Sequence, residues 1–100
     1  MYQLDIDDKN LAKIQKHGIT LEQVEEFFAS SFRSGPDLKH SQAEQRYFGF
    51  GRLKNSGRYI IVIYTIRRYE GDTYVRPISA RYMHKKEVIK YEEIFGQENS

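Results

Sequence analysis

Hydrophobic and polar residues follow two different periods along the first third of this chain. Leu4 and Ile6 alternate with acidic residues, which predicts a short strand with one buried face. From residue 8 onward the apolar positions recur at the three-to-four residue spacing of a helix. The pattern therefore predicts a first strand followed by helical structure.

The first helix has a recognisable start and end. Asp7 or Asp8 can accept a hydrogen bond from an amide of the first turn. Gly18 follows Lys16 and His17, at the place where a left-handed residue usually ends a helix. This spacing predicts a helix that ends at about residue 17.

A second helix is predicted directly afterwards. Thr20 and Gln23 have the spacing of a capping box, and Ile19 and Val24 have that of a hydrophobic staple. The stripe expected to be buried consists of Leu21, Val24, Phe27, Phe28 and Phe32. Two consecutive N-terminal helices are therefore expected.

Beyond Ser31 the pattern changes. Residues 35–37 are turn formers, and residues 39–45 are polar without a period, so a loop is expected. Strands at residues 46–53, 59–66 and 73–80 follow, with turns at 55–57 and 70–72. Residues 59–66 are apolar on both faces and predict a central strand covered on both sides, or nearly so. Pro77 predicts a bulge or an edge in the last strand, because proline donates no ladder hydrogen bond.

A last helix is expected over residues 84–94, with Val88, Tyr91 and Phe95 on one side. These elements predict an α+β fold with two N-terminal helices and one C-terminal helix on an antiparallel sheet of about four strands. We expect one domain over residues 1–96 and a frayed tail at residues 97–100.

Composition narrows the class of protein. Cysteine is absent, which excludes disulfides and thiolate metal sites. The longest apolar run is too short to span a bilayer, so a cytoplasmic protein is expected. Residues 52–90 contain ten Lys and Arg against three acids. This surplus is typical of a protein that binds a polyanion, and equally of a sheet with a solvated outer face.

Candidate chemistry is concentrated in residues 76–87, RPISARYMHKKE, followed at helical spacing by Tyr91. This segment brings Arg, Lys, Glu and Tyr to the point where a strand leads into a helix. Phosphate sites are often built at such junctions. The segment therefore points to RNA chemistry.

The residues at the element junctions also carry a family resemblance. They are IDDKN at 6–10, KHGIT at 16–20, VEE at 24–26, RY at 46–47, GRY at 57–59 and RPISARYMHKKEVIKY at 76–91. The chain resembles the BrnT-type toxins from the first strand to Tyr91, apart from about residues 32–45. The resemblance implies a RelE-like or ParE-like fold and a toxin of a type II toxin–antitoxin system that cleaves RNA without a cofactor. It also implies a ribbon-helix-helix antitoxin, with DNA bound only through the antitoxin complex.

RNA cleavage without a metal requires removal of the 2′-hydroxyl proton, stabilisation of the phosphate charge and protonation of the leaving oxygen. Arg81 suits the phosphate, although it could instead form a salt bridge to Glu87. Glu87 could act as a base or orient Arg81. Tyr91 could stack on a base or donate a proton, or it could belong to the core.

His17 is a candidate proton donor, because the end of a helix favours protonated histidine; the alternative is a cap without chemistry. Arg67 and Arg68 could bind flanking phosphates or be solvated strand-end charges. The residues expected to bind RNA are Arg67, Arg68, Arg76, Lys85 and Lys86. No metal site is expected, because His17, His40 and His84 lack paired ligands.

One departure from the family pattern supports a second hypothesis. Val88 and Ile89 stand where relatives often carry two arginines on the last helix. An apolar patch there is more typical of a protein interface. The alternative to a ribonuclease is therefore a catalytically weak interaction module that binds the antitoxin and acts in a DNA-binding autorepressor complex.

Overall fold

A computed structural model describes residues 3–40 and 44–96 of the chain. This part of the chain forms three α-helices and one five-stranded sheet. The elements in chain order are β1 (Gln3–Leu4), α1 (Asp8–Lys16), α2 (Leu21–Ala29), β2 (Arg33–Pro36), β3 (Arg46–Arg52), β4 (Tyr59–Tyr69), β5 (Asp72–Tyr82) and α3 (Lys85–Phe95). The predicted α+β class is confirmed. The expected tail at residues 97–100 lies outside the described residues.

The sheet has the strand order β1-β5-β4-β3-β2. β1 pairs in parallel with β5, and the other pairs are antiparallel, so the sheet is mixed rather than antiparallel. The fifth strand is β2, in a segment expected to be a loop. Its register places Arg33 opposite Phe50 and Pro36 opposite Tyr47. Because β2 is an edge strand, Pro36 can lie in it without breaking the sheet.

The helix ends follow the local signals in the sequence. The Asp7 carboxylate accepts from the Asn10 amide at 2.8 Å, and Gly18 has a φ of +81° after the last turn of α1. The Gln23 amide donates to the Thr20 hydroxyl at 3.1 Å, and the Thr20 amide donates to the Gln23 side chain at 2.9 Å. The predicted caps are therefore confirmed.

α1 and α2 cover one face of the sheet, which we call the inner face. Its core includes Ile14 of α1, Val24 and Phe27 of α2, and Val62 of β4, all at most 1% exposed. Gly49 of β3 lets the helix approach closely, because a Cβ there would lie 3.0 Å from the Phe27 ring. Interlocking of this kind makes the inner face the main source of stability.

β4 and β5 form a long hairpin. Glu70 and Gly71 make its two-residue turn, both with positive φ, as the tightest hairpins require. The register between the strands shifts near Pro77, because Ile63 pairs with Ser79 while Tyr64 pairs with Pro77. The predicted bulge is confirmed, and Ile78 is the extra residue.

The other side of the sheet, the outer face, is only partly covered. α3 lies over one end of it. There the centroid of the Tyr91 ring lies 6.0 Å from that of Phe50 and 5.4 Å from that of Tyr59. β4 is central as predicted, but Ile61 and Ile63 on this face remain half-buried. None of the helices in residues 3–40 and 44–96 is long and apolar enough to cross a membrane.

Candidate active site on the outer face of the sheet

Two rows of paired residues cross the outer face beside α3. One row is Phe50, Ile61 and Arg81, and the next is Phe48, Ile63 and Ser79. Side chains that are directly opposite in neighbouring strands share a face. The strand register therefore places Arg81 of β5 at the end of an apolar row.

Arg81 is held by a two-point ion pair with Glu87. Nη1 and Nη2 of Arg81 donate to the two carboxylate oxygens of Glu87 at 2.8 and 2.9 Å. Nη1 also donates to the Tyr82 carbonyl at 3.2 Å. Both side chains of the pair are more than a third exposed, at 39% for Arg81 and 38% for Glu87. Arg81 is therefore both oriented and accessible.

The geometry of the guanidinium leaves part of it available. Glu87 occupies the edge formed by the two terminal nitrogens, and Arg81 has five N–H donors in all. The Nε–H and the second Nη2–H of Arg81 lie on the adjacent edge and have no partner among the described residues. Two parallel donors match two oxygens of a phosphate.

Glu87 gains its position from the start of α3. It is the third residue of the helix, and its carboxylate accepts from the His84 amide at 2.8 Å. The hydrogen bond from Arg81 lowers the pKa of Glu87 to about 2, with the His84 amide acting in the same direction. At neutral pH Glu87 is therefore a carboxylate that accepts protons poorly while it remains paired.

A cavity of about 490 Å³ opens beside this pair. Its apolar floor consists of Phe48, Phe50, Ile61 and Ile63. Its polar rim consists of His17, Ser79, Arg81 and Glu87. The fold thus brings His17, Arg81 and Glu87, three of the four predicted catalytic residues, to one cavity.

His17 reaches this cavity from the opposite end of the chain. It follows the last turn of α1, and its backbone amide, rather than its side chain, makes the hydrogen bonds that end the helix. The neighbouring Gly18 lies against Tyr82 at the end of β5, since a Cβ there would be 4.0 Å from the Tyr82 ring. The exposed imidazole of His17 is therefore free of a structural role in the cap.

Tyr91 is not part of this cavity. Its ring packs in an aromatic cluster with Phe50, Tyr59 and Phe95, the last at 5.0 Å. The ring also lines an apolar groove on the far side of Glu87, where Met83 and Ile94 are neighbours. Tyr91 thus holds α3 on the sheet.

The residues predicted to bind RNA fall into two groups. Arg76 forms ion pairs with both Asp5 and Asp7, and Arg67 forms one with Glu44 at 3.2 Å. Arg68, Lys85 and Lys86 are exposed and have no ion-pair partner among the described residues. Lys85 and Lys86 begin α3, immediately before Glu87.

Sequence reasoning did not assign Phe48, Phe50 or Ser79 to the site. A signal was present, because Phe48 and Phe50 alternate with glycines and therefore lie on one face of a strand. The pattern of β3 alone does not say which face, and only pairing with β4 shows that both rings lie beside Arg81.

Comparison with known proteins gives one match. A family model described as "Ribonuclease toxin, BrnT, of type II toxin-antitoxin system" matches residues 7–87 of the chain. His17, Arg81 and Glu87 fall within the matched range, and Tyr91 falls outside it. A search of curated proteins found no match.

Proposed function

The chain belongs to the BrnT family of type II toxin–antitoxin ribonuclease toxins, and from this premise we propose that it is a metal-independent endoribonuclease. We further propose a RelE-like arrangement of its sheet and helices, and action in the cytoplasm. One observation carries the proposal. Arg81 presents an open guanidinium edge at the rim of a cavity that His17 also lines.

In the proposed reaction the ribose 2′-oxygen loses its proton and attacks the neighbouring phosphorus. The bond from phosphorus to the 5′-oxygen breaks, which leaves a 2′,3′-cyclic phosphate and a 5′-hydroxyl. Negative charge grows on the non-bridging oxygens during the attack. The two available donors of Arg81 would bind these oxygens, while Glu87 keeps the guanidinium in place.

His17 would protonate the leaving 5′-oxygen, because its exposed imidazole lines the same cavity as Arg81. We assign Glu87 the orienting role, since a carboxyl with a pKa of about 2 is a weak base. Tyr91, held in the aromatic cluster, would act by packing α3 onto the sheet. The 2′-hydroxyl proton would pass to solvent water.

The path of the RNA would follow the unpaired cations. Lys85 and Lys86 at the start of α3 are placed to bind flanking phosphates. Arg68 lies near the far end of β4 and, like Ile66, on the inner face, so it would contribute little to this path. Arg76 and Arg67 would contribute less, because carboxylates already neutralise them. Contacts of this kind give affinity that falls as salt rises.

A second candidate function rests on the apolar side of α3. Ile94 is 59% exposed and lines an apolar groove with Met83, Tyr91 and Phe95. Ile89 is 48% exposed on the same helix but does not line this groove. Exposed apolar clusters are typical of protein interfaces. The alternative is therefore a module that binds an antitoxin of the ribbon-helix-helix type and joins a DNA-binding complex, with little activity of its own.

Purified protein and single-stranded RNA test the first proposal. We expect cleavage in EDTA with cyclic phosphate ends, and a loss of about 100-fold or more in Arg81→Ala, as for the removal of one transition-state donor. Arg52→Ala is the control, because Arg52 lies on the same sheet face but outside the cavity. It should change the rate by no more than a few-fold.

Expression without an antitoxin separates the two candidates. Growth arrest that Arg81→Ala abolishes, with the variant still folded, supports the ribonuclease. Harmless expression of folded wild-type protein that cleaves no RNA supports the interaction module.

A further inference from the structure

Phe48 is unusual among the aromatic residues of the cavity. Its side chain is 37% exposed, and it has no ring partner among the described residues. Phe50 next to it is covered by Tyr91 and Phe95 of α3. The floor of the cavity thus ends in an open aromatic face.

The distance from this face to the phosphate site suits one nucleotide. Phe48 and Ser79 lie in the row next to Arg81, and two strand spacings of about 4.8 Å separate the strands of Phe48 and Arg81. A base attached to a phosphate held at Arg81 would reach this row. The ring of Phe48 and the hydroxyl of Ser79 would then meet its face and its edge.

We propose that Phe48 forms a stacking platform for the base next to the cleaved phosphodiester, with Ser79 at the polar edge of that base. This inference rests on the proposed ribonuclease function and adds a base subsite to it. Phe50 and Ile61 also line the apolar groove beside α3, but Phe48 lines the cavity that holds Arg81 and His17 and not that groove. An RNA base is therefore the favoured occupant, because the open ring lies in the same cavity as the candidate phosphate site. Stacking tolerates every base, with preference set by stacking strength rather than by hydrogen bonds.

Phe48→Ala combined with abasic substrates tests the proposal. The stacking of one base on an aromatic ring strengthens binding by about tenfold. We expect Phe48→Ala to lower kcat/KM about tenfold on intact RNA. On an RNA that lacks the base beside the cleaved bond, wild type should fall by the same factor and the variant should lose nothing more. On an RNA with its abasic site placed elsewhere, Phe48→Ala should still lower kcat/KM about tenfold relative to wild type.

Ile66→Ala is the matched control. Ile66 is 43% exposed on β4, the strand next to that of Phe48, but it stands opposite Val75 on the inner face. The kcat/KM of Ile66→Ala should stay within about twofold of the wild-type value, because substitutions at independent sites affect each other little.

A second variant makes the stack directly visible. The chain contains no Trp, so Phe48→Trp introduces a single tryptophan into the cavity, whose fluorescence can be excited apart from that of the eight tyrosines. A 2′-O-methyl oligoribonucleotide, which lacks the attacking hydroxyl, should quench this fluorescence, and the same oligomer without the base should not. The Trp variant should also retain most of the wild-type cleavage rate, because indole stacks as phenyl does.

The outcomes distinguish the two proposals. Wild-type cleavage together with an unchanged Phe48→Ala rate, or with equal effects on intact and abasic RNA, overturns the platform and leaves the ribonuclease. Quenching of the Phe48→Trp fluorescence by inorganic phosphate alone also overturns the stacking platform. Absence of any wild-type cleavage overturns the ribonuclease first.

Discussion

The two faces of the sheet differ in how completely they are covered. On the inner face two helices bury residues such as Ile60 and Val62 to 0% exposure. On the outer face one helix covers one end, and the adjacent Ile61 and Ile63 stay half-buried beside a cavity. Residues of one strand thus alternate between core and cavity. The same strand that supplies stability on one side supplies the floor of the candidate site on the other.

This difference separates stability from chemistry. Apolar residues that are already buried cannot contact a ligand, while half-exposed ones beside charged groups can. Substitutions on the inner face should therefore change stability, and those on the outer face should change activity at nearly constant stability.

The largest effect is expected from the same substitution made on each face. Phe27→Ala should lower the free energy of unfolding by about 3–5 kcal/mol, because Phe27 is 1% exposed and its loss leaves a closed cavity. Phe48→Ala should cost less than about 1.5 kcal/mol, because its site is already open to water. Urea unfolding followed by circular dichroism measures both. Equal losses would mean that the two faces do not differ in the way described.

His17→Gln should change activity alone. We expect RNA cleavage to fall by about 100-fold, the lower range for a lost proton donor, with the free energy of unfolding unchanged since only the backbone of His17 ends α1. His84→Gln is the control, because His84 is exposed and does not line the cavity. A titration by NMR in which the His17 ring signals ignore added RNA would remove His17 from the site.

The smallest effect is expected from Glu87, where the outer face contributes to stability. The pKa of Glu87 falls from 4.5 to about 2 in the folded protein, so the ion pair stabilises the fold above about pH 4.5. This contribution is lost as the pH falls towards 2. It should be below about 1 kcal/mol, because water reaches both side chains.

Urea unfolding of wild type and Glu87→Gln at pH 7 and pH 3 measures this contribution. The difference between the two proteins should be smaller at pH 3. Glu93→Gln is the control, since Glu93 is on the same helix and has no ion pair among the described residues. A difference that is the same at both pH values would contradict the lowered pKa.

Much of the site could be predicted from the sequence, because its polar residues lie where one element of secondary structure leads into the next. Arg81 and Glu87 are six residues apart, so a strand followed directly by a helix places them together whatever the rest of the fold does. The position of His17 beside them depended on the contact between the end of α1 and the end of β5. For Tyr91 the sequence left a catalytic and a packing role open, and the ring packs against Phe50, Tyr59 and Phe95. Its spacing of four from Glu87 does not say which side of α3 faces the cavity.

A few neighbouring residues were enough to establish the caps at Thr20 and Gly18 and the strand periods, and to limit Pro77 to a bulge or an edge and Arg81 to a phosphate or to Glu87. Three features became visible only in the folded chain: residues 33–36 form an edge strand, β1 lies parallel to β5, and Phe48 faces the cavity. The reason is the range of the interactions involved. Caps and periods depend on hydrogen bonds and packing within one or two turns. Strand pairing and cavity walls depend on contacts between segments that meet only when the whole chain folds.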